Sequence, residues 1–322
     1  MQQPPADVVD TSHGGGIDAA RARFGGRAQD WIDMSTGINP VPYPLPNLPN
    51  EAWSRLPDHE AYDQLMTTAR RFWRVPDEAA IVAAPGTSAL IARLPALVPP
   101  ARVRIPAPTY NEHRRAFLAQ GWSASDGEAE ALVLVHPNNP DGRLWTAGDA
   151  KADLVVIDES FADTVPDRSL IALATTPGVL MLKGLGKFWG LAGLRLGFAI
   201  GDPALVGQLE KLLGPWPVSG PALVIGAAAL SDMDWAEVTR TRLFTDAARL
   251  DGLLTKAGAR IIGGTSLFRL AEVTDAARWQ EALARCHIWT RIFPYSDRWL
   301  RLGIPASESE WSRLTEALED LR

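Results

Sequence analysis

"LKGLGKFWGLAGLRLGF" occupies Leu182–Phe198. It is apolar except for Lys183, Lys187 and Arg195, and is punctuated by Gly184, Gly186, Gly190, Gly193 and Gly197. Glycine lets backbone approach another group closely, so cations carried among glycines point to something held at short range. The glycines match neither G-x-G-x-x-G nor G-x-x-x-x-G-K-[ST], so the stretch does not read as a nucleotide loop. It begins inside "GVLMLKG" (178–184), a continuous apolar run of strand length. "ALVLVH" (131–136) and "DLVVID" (153–158) are two more. Such runs suit strands buried on both faces of a parallel sheet. Around them, "YNEHRRAFLAQG" (110–121) reads as a helix stopped by Gly121. "GTSALIARLPALV" (86–98) reads as a helix that Pro95 kinks or ends, and "ARVRIP" (101–106) as a short strand. The alternation predicts an α/β fold with a doubly wound, mainly parallel sheet.

Beyond residue 232 the pattern changes. Leu243, Ala247, Leu250 and Leu254 recur at helical spacing. "ARIIGGTSLFRLAEV" (259–273) reads as two strands around a Gly-Gly turn, and "WLRLGIP" (299–305) as another strand. Ser307 and Glu310 form a capping-box pattern ahead of a helix with Trp311, Leu314, Leu318 and Leu321 on one stripe. We therefore expect an N-terminal arm (1–37), a large α/β domain (38–232) and a small α+β domain (233–322), with the arm packing on the small domain. "INPVPYPLPNLP" (38–49) reads as extended chain.

The bulk composition narrows the function. The chain has 322 residues, 46% hydrophobic and 22% charged, which fits a globular protein. A formal net charge of −6 and the absence of a basic tract argue against a nucleic-acid partner. With Cys286 the single cysteine, no intramolecular disulfide or cysteine metal cluster is expected, and no metal site. The longest apolar runs, such as "ALVIGAAAL" (222–230), are too short to span a membrane. The start lacks the basic and apolar regions of a signal peptide, so a cytoplasmic location is expected.

In open parallel sheets, ligands sit beyond the carboxyl ends of the strands. There this chain carries Asn139 in "HPNNPDG", Asp158, then Lys187 and Arg195. Gly86, Thr87 and Ser88 stand at a helix start, where free amides suit a phosphate. An amine, a carboxylate, an amide, an arginine and an anion cradle together match the needs of pyridoxal phosphate. A lysine condenses with the aldehyde, and a carboxylate keeps the ring nitrogen protonated. An amide donates to the phenolate, arginine holds the phosphate, and Tyr110 offers a ring to stack. Singly, each has a plainer reading: a surface lysine, a helix cap, a turn. Those readings leave the order and spacing of the whole set unexplained.

"PTY", "HPNNPDG", "VVIDESF" and "GKFWGLAGLRLGF" resemble the histidinol-phosphate aminotransferase branch of the fold-type I pyridoxal-phosphate enzymes. The resemblance runs from about residue 10 to the end of the chain. It implies Lys187 as the cofactor lysine, Asp158 at the ring nitrogen, Asn139 at the phenolate and Tyr110 as the stacking ring. It also implies Phe161 beside the cofactor, with Arg195, Gly86, Thr87 and Ser88 at its phosphate. "SHGGGIDAARARFG" (12–25), "WIDMSTGINPVPYPLP" (31–46), "APGTSALIARLP" (84–95) and "DESFAD" (158–163) look most like the cobalamin-pathway threonine-phosphate decarboxylases. Those enzymes convert L-threonine O-3-phosphate to (R)-1-amino-2-propanol O-2-phosphate. The likeness implies Arg301 for the substrate carboxylate, Arg291 for its phosphate, and His13 and Gly37 from the arm. A homodimer is expected on the same ground.

The pattern has departures. Phe161 stands where the branch usually has Tyr, as decarboxylases tend to have. Gly184 and Gly186 stand where hydroxyl residues commonly help hold the phosphate. Leu56 replaces a Tyr that reaches the neighbouring subunit's phosphate in many aminotransferases. Two alternatives follow: an aminotransferase of the histidinol-phosphate type, and an inactive relative of the same fold that serves as a binding protein.

Overall fold

The structure is a computed structural model and describes residues 13–321. Residues 1–12 of the expected arm, including Ser12, lie outside the described residues. The chain forms two compact units. Unit 2 comprises Pro42–Asn138 and Leu144–Val238; unit 1 comprises the chain up to Val41, Asn139–Arg143, and the chain from Thr239.

Unit 2 is built on a seven-stranded sheet: β1 (Ala80–Ala84), β2 (Arg102–Arg104), β3 (Ser123–Ala124), β4 (Ala131–Val135), β5 (Leu154–Asp158), β6 (Val179–Gly184) and β7 (Gly197–Gly201). The order is β1-β7-β6-β5-β4-β2-β3. The pairings from β3 through β6 are parallel, and β7 runs antiparallel to both its neighbours. The three apolar runs form β4, β5 and β6, and each is buried along nearly its whole length because both faces are covered. On one face Val133, Val156, Leu180 and Leu182 pack with Leu90, Phe117 and Leu205 of the helices Thr87–Ile91, Asn111–Ala119 and Pro203–Leu213. On the other face the helix His59–Trp73 packs, with the Trp73 ring 4.9 Å from that of Phe198. Helices on both faces make the sheet doubly wound.

Two local expectations differ from the structure. The helix expected over 86–98 ends at Ile91, and Pro95 lies in a separate 3-10 turn at Leu94–Ala96. Pro95 has no N–H to continue a helical ladder, so the chain tightens into a shorter-pitched turn. The second difference lies in unit 1. There β8 (Arg260–Thr265), β9 (Phe268–Glu272), β10 (Arg291–Phe293) and β11 (Ser296–Gly303) form an antiparallel sheet of order β10-β11-β9-β8. Gly263 and Gly264, read as a turn, lie inside β8, and the hairpin turns at Ser266-Leu267. Their smallness serves a close approach instead: a Cβ on Gly263 would stand 2.1 Å from the Asp141 carbonyl oxygen. The Gly264 N–H donates to that carbonyl at 2.9 Å. This contact ties Asn139–Arg143, expected within the large domain, to unit 1.

The rest of unit 1 follows its pattern. Leu250, Leu254, Leu300, Leu302, Trp311 and Leu314 share one core. Ser307 accepts from the Glu310 N–H and caps the helix Glu308–Glu319. No helix among the described residues is long and apolar enough to cross a membrane.

Candidate active site

The predicted cofactor residues of unit 2 stand on the turns beyond β1, β5 and β6 and at the start of the helix Asn111–Ala119. Asp158 ends β5 and is buried. One oxygen accepts from the Ser160 N–H at 3.0 Å and its hydroxyl at 2.5 Å, which fixes the turn. The other oxygen meets His113 Nε2 at 2.8 Å. Burial pushes the carboxyl upward, but the His113 hydrogen bond and charge and the Ser160 bonds outweigh it and hold Asp158 below the usual carboxylate range. The Tyr110 ring stands edge-on to His113, centroids 6.1 Å apart. His113 was missed by sequence reasoning; a histidine on the buried face of a helix reads equally well as core.

The two lysines of the quoted stretch have different surroundings. Lys183, inside β6, is buried and paired with Glu159, which also accepts from Ser169 Oγ and the Leu170 N–H, each at 2.6 Å. Lys187 lies past the strand end with its Nζ 5.5 Å from the centre of the Phe161 ring. Asp163 accepts from the indoles of Trp73 at 2.9 Å and Trp189 at 3.0 Å, so the segment after Asp158 and the segment after Lys187 share one clamp.

The residues expected to cradle a phosphate lie close to one another. Gly86 has φ 86°, and a Cβ there would stand 2.6 Å from Arg195 Nη2, so the arginine lies against the glycine turn. A Cβ on Gly197 would stand 2.5 Å from the Thr87 nitrogen. A Cβ on Gly184 would come within 3.1 Å of Thr87 Cγ2, so the Thr87 methyl occupies the room that a side chain at 184 needs. Gly186 has no such tight neighbour; its nearest approach is 3.5 Å. Ser88 is exposed at the same helix start. The helix Thr87–Ile91 is only five residues long, so the turn offers local amides and Arg195 rather than a long helix dipole. A cation, a glycine-lined turn and a buried carboxylate fit the phosphate and ring nitrogen of pyridoxal phosphate.

Unit 1 holds the predicted substrate residues. Arg291 and Arg301 are directly paired across β10 and β11, and both are buried. Arg301 donates to Asn139 Oδ1 and to the Ser35 carbonyl, lies over the Phe268 ring at 5.1 Å, and has no partner at Nε. Its hydrogen-bond acceptors are uncharged. Burial first, then the Arg291 charge, pulls its pKa down to about 9. An opposite charge placed beside these two adjacent buried cations would be favoured by both. Asn139 thus spends its oxygen on Arg301 and keeps its amide N–H groups as the end suited to a phenolate. Gly37 is buried and His13 exposed, both on the segment leading into this cluster.

Residues 122–319 match the family described as aminotransferase class I and II. The chain is 39% identical over 325 aligned residues to a threonine-phosphate decarboxylase from a Sinorhizobium species, covering 95% of this chain and 97% of that protein. It is 37% identical to a threonine-phosphate decarboxylase from Pseudomonas aeruginosa, covering 95% and 96%. In fold it is similar to the histidinol-phosphate aminotransferase from Sinorhizobium meliloti solved with pyridoxal-5'-phosphate, with TM-score 0.81, 19% identity, and 98% and 97% of the two chains covered. The L-threonine-O-3-phosphate decarboxylase from Porphyromonas gingivalis superposes with TM-score 0.68 at 16% identity, covering 89% and 98%. On this sequence likeness the chain belongs to the class I and II aminotransferase family, in its threonine-phosphate decarboxylase group.

Proposed function

We propose that this chain is a pyridoxal-phosphate-dependent decarboxylase that converts L-threonine O-3-phosphate to (R)-1-amino-2-propanol O-2-phosphate and carbon dioxide, in cobalamin biosynthesis. The observation that carries the reading is the adjacent buried pair Arg291 and Arg301, suited to a substrate with two anionic groups. The near-full-length likeness to named threonine-phosphate decarboxylases supports it.

When bound, pyridoxal phosphate supplies an aldehyde for the substrate amine and a protonated ring that accepts the electron pair of a breaking bond at Cα. Asp158 holds the proton on the ring nitrogen. Thr87, Ser88, Gly86 and Arg195 would hold its phosphate, Tyr110 and Phe161 would pack beside it, and Asn139 would donate to its phenolate. Lys187 would hold the cofactor through its aldehyde, and its Nζ would hold the proton destined for the substrate Cα. Decarboxylation requires the substrate carboxylate to be held in one fixed orientation while its bond to Cα breaks. Arg301 grips the carboxylate and Arg291 the phosphate, with His13 and Gly37 assisting; this sets which bond breaks. We further propose a homodimer working in the cytoplasm.

The test supplies pyridoxal phosphate and L-threonine O-3-phosphate and measures carbon dioxide against keto acid with 2-oxoglutarate present. Carbon dioxide release that Lys187→Ala abolishes is expected. Keto acid instead would make the chain an aminotransferase of the histidinol-phosphate type, and neither product would leave an inactive binding protein. Replacing Arg291 with Ala should raise KM for the phosphorylated substrate by about tenfold or more, the scale of one lost charge-assisted contact. An unchanged KM would remove that role.

A further inference from the structure

Ser35, on the arm that opens unit 1, is hydrogen-bonded to Arg301 through its carbonyl. Ser35 is 1% exposed. Its hydroxyl donates to Asp33 Oδ1 at 2.6 Å and accepts the Gly15 N–H at 2.6 Å. Its own N–H donates to the same Asp33 oxygen at 2.9 Å. Its carbonyl oxygen accepts from Arg301 Nη2. The Gly15 carbonyl is in turn held by Trp289 Nε1 at 2.9 Å. Gly14 presses on the far side of the same group: a Cβ there would stand 2.5 Å from the Ser35 carbonyl oxygen. The arm and the arginine therefore bear on the two ends of a single residue.

We propose that Ser35 is a positioning residue that couples the seating of Gly14-Gly15 to the orientation of Arg301, so that the arm and the anion grip form and loosen together. The proposal rests on Arg301 as the carboxylate-binding residue. The other contacts of the Arg301 guanidinium are the Asn139 oxygen and the face of Phe268, with the charges of Arg291, Tyr295 and Asp33 nearby and Nε unpartnered. A guanidinium beside a like charge in a buried site keeps one orientation only while its acceptors stay put. The Ser35 carbonyl is such an acceptor, and Asp33 and Gly15 fix its position. Coupling of this kind is reciprocal, so an anion on Arg301 also tightens the arm. The need for glycine at 14 follows: any side chain would displace the carbonyl on which Arg301 rests.

The experiment compares the cofactor-loaded wild type with Ser35→Ala, Gly14→Ala, Ser35→Thr and the control Gly207→Ala, whose Cβ would enter open space. Three readouts are taken: hydrogen exchange of the Gly15 amide with and without L-threonine O-3-phosphate, phenylglyoxal modification of Arg301 mapped by mass spectrometry, and steady-state kinetics. In Ser35→Ala and Gly14→Ala, Gly15 exchange and Arg301 modification should rise together, and KM should rise by about tenfold, as for one lost charge-assisted bond. The visible absorbance of the bound cofactor and kcat should stay close to wild type. Ser35→Thr, which keeps the hydroxyl, should recover most of the loss, and this separates the latch from general unfolding. Faster Gly15 exchange with unchanged Arg301 modification would overturn the coupling, and so would no change in either. The first two readouts need no turnover, so they test the latch even if the product assay assigns a different reaction.

Discussion

Lys183 and Lys187 are the same residue type four positions apart, and their surroundings separate them. Lys183 sits within a strand and spends its charge on Glu159, while Lys187 lies past the strand end beside an aromatic ring. Their place after an apolar run or within a glycine pattern singled out Lys187, Asp158 and Arg195, and the family resemblance supplied their expected roles. His113 and Ser35 were not legible in the same way. Their partners lie 45 and 266 residues away and are chosen by tertiary packing. His113 gives a direct expectation. Removing it leaves the burial penalty on Asp158 but takes away its strongest counterweight. His113→Gln should cut kcat by about tenfold to a hundredfold, since charge-assisted bonds are worth roughly 1.5–3 kcal/mol. The pH dependence has a definite sign. The folded pKa of Asp158 lies below its unfolded value, so its contribution to stability is complete above about pH 4 and is lost as pH falls through the folded value. An acid titration of the cofactor-free protein, followed by circular dichroism, should place the unfolding midpoint of His113→Gln at higher pH than wild type.

At the scale of elements, the long apolar strands were readable and the small-residue strands were not. β4, β5 and β6 announce themselves by uninterrupted Val, Leu and Ile. β1 and β7, "AIVAA" and "GFAIG", are built from small residues and carry little strand signal. Their smallness has a purpose at Gly197, where the cradle turn lies against the strand. The ladder from β5 to β6 carries a further device, the buried Glu159–Lys183 pair. Breaking one side of such a pair leaves an uncompensated charge, so Lys183→Met should destabilise by about 3–5 kcal/mol. The double replacement Lys183→Met with Glu159→Gln should recover a large share of that loss. Chemical denaturation of both variants and of Glu159→Gln alone measures it, and a double loss equal to the sum of the two single losses would mean the ion pair carries no coupling energy.

For the whole molecule, unit 2 leaves Trp53 71%, Leu56 67% and Trp216 58% exposed. These side chains are candidates for the surface that the proposed homodimer would cover. Trp53→Asp should then lower the mass measured by light scattering at micromolar concentration from dimer toward monomer; an unchanged mass would move the interface elsewhere. The two-unit division was legible where composition shifts, but not at Asn139–Arg143, because a backbone contact with β8 rather than any local pattern assigns that loop. The chain crosses between the units at 41/42, 138/139, 143/144 and 238/239. Synthesis from the N-terminus therefore delivers all of unit 2 to the ribosome exit before Thr239 appears. The arm and the 139–143 loop must wait, unpartnered, for the C-terminal stretch they dock on. A nascent chain halted at that point would already own Asp158, Lys187 and Arg195, yet hold neither Arg291 nor Arg301: on the proposed roles, a cofactor binder born before its own substrate selectivity.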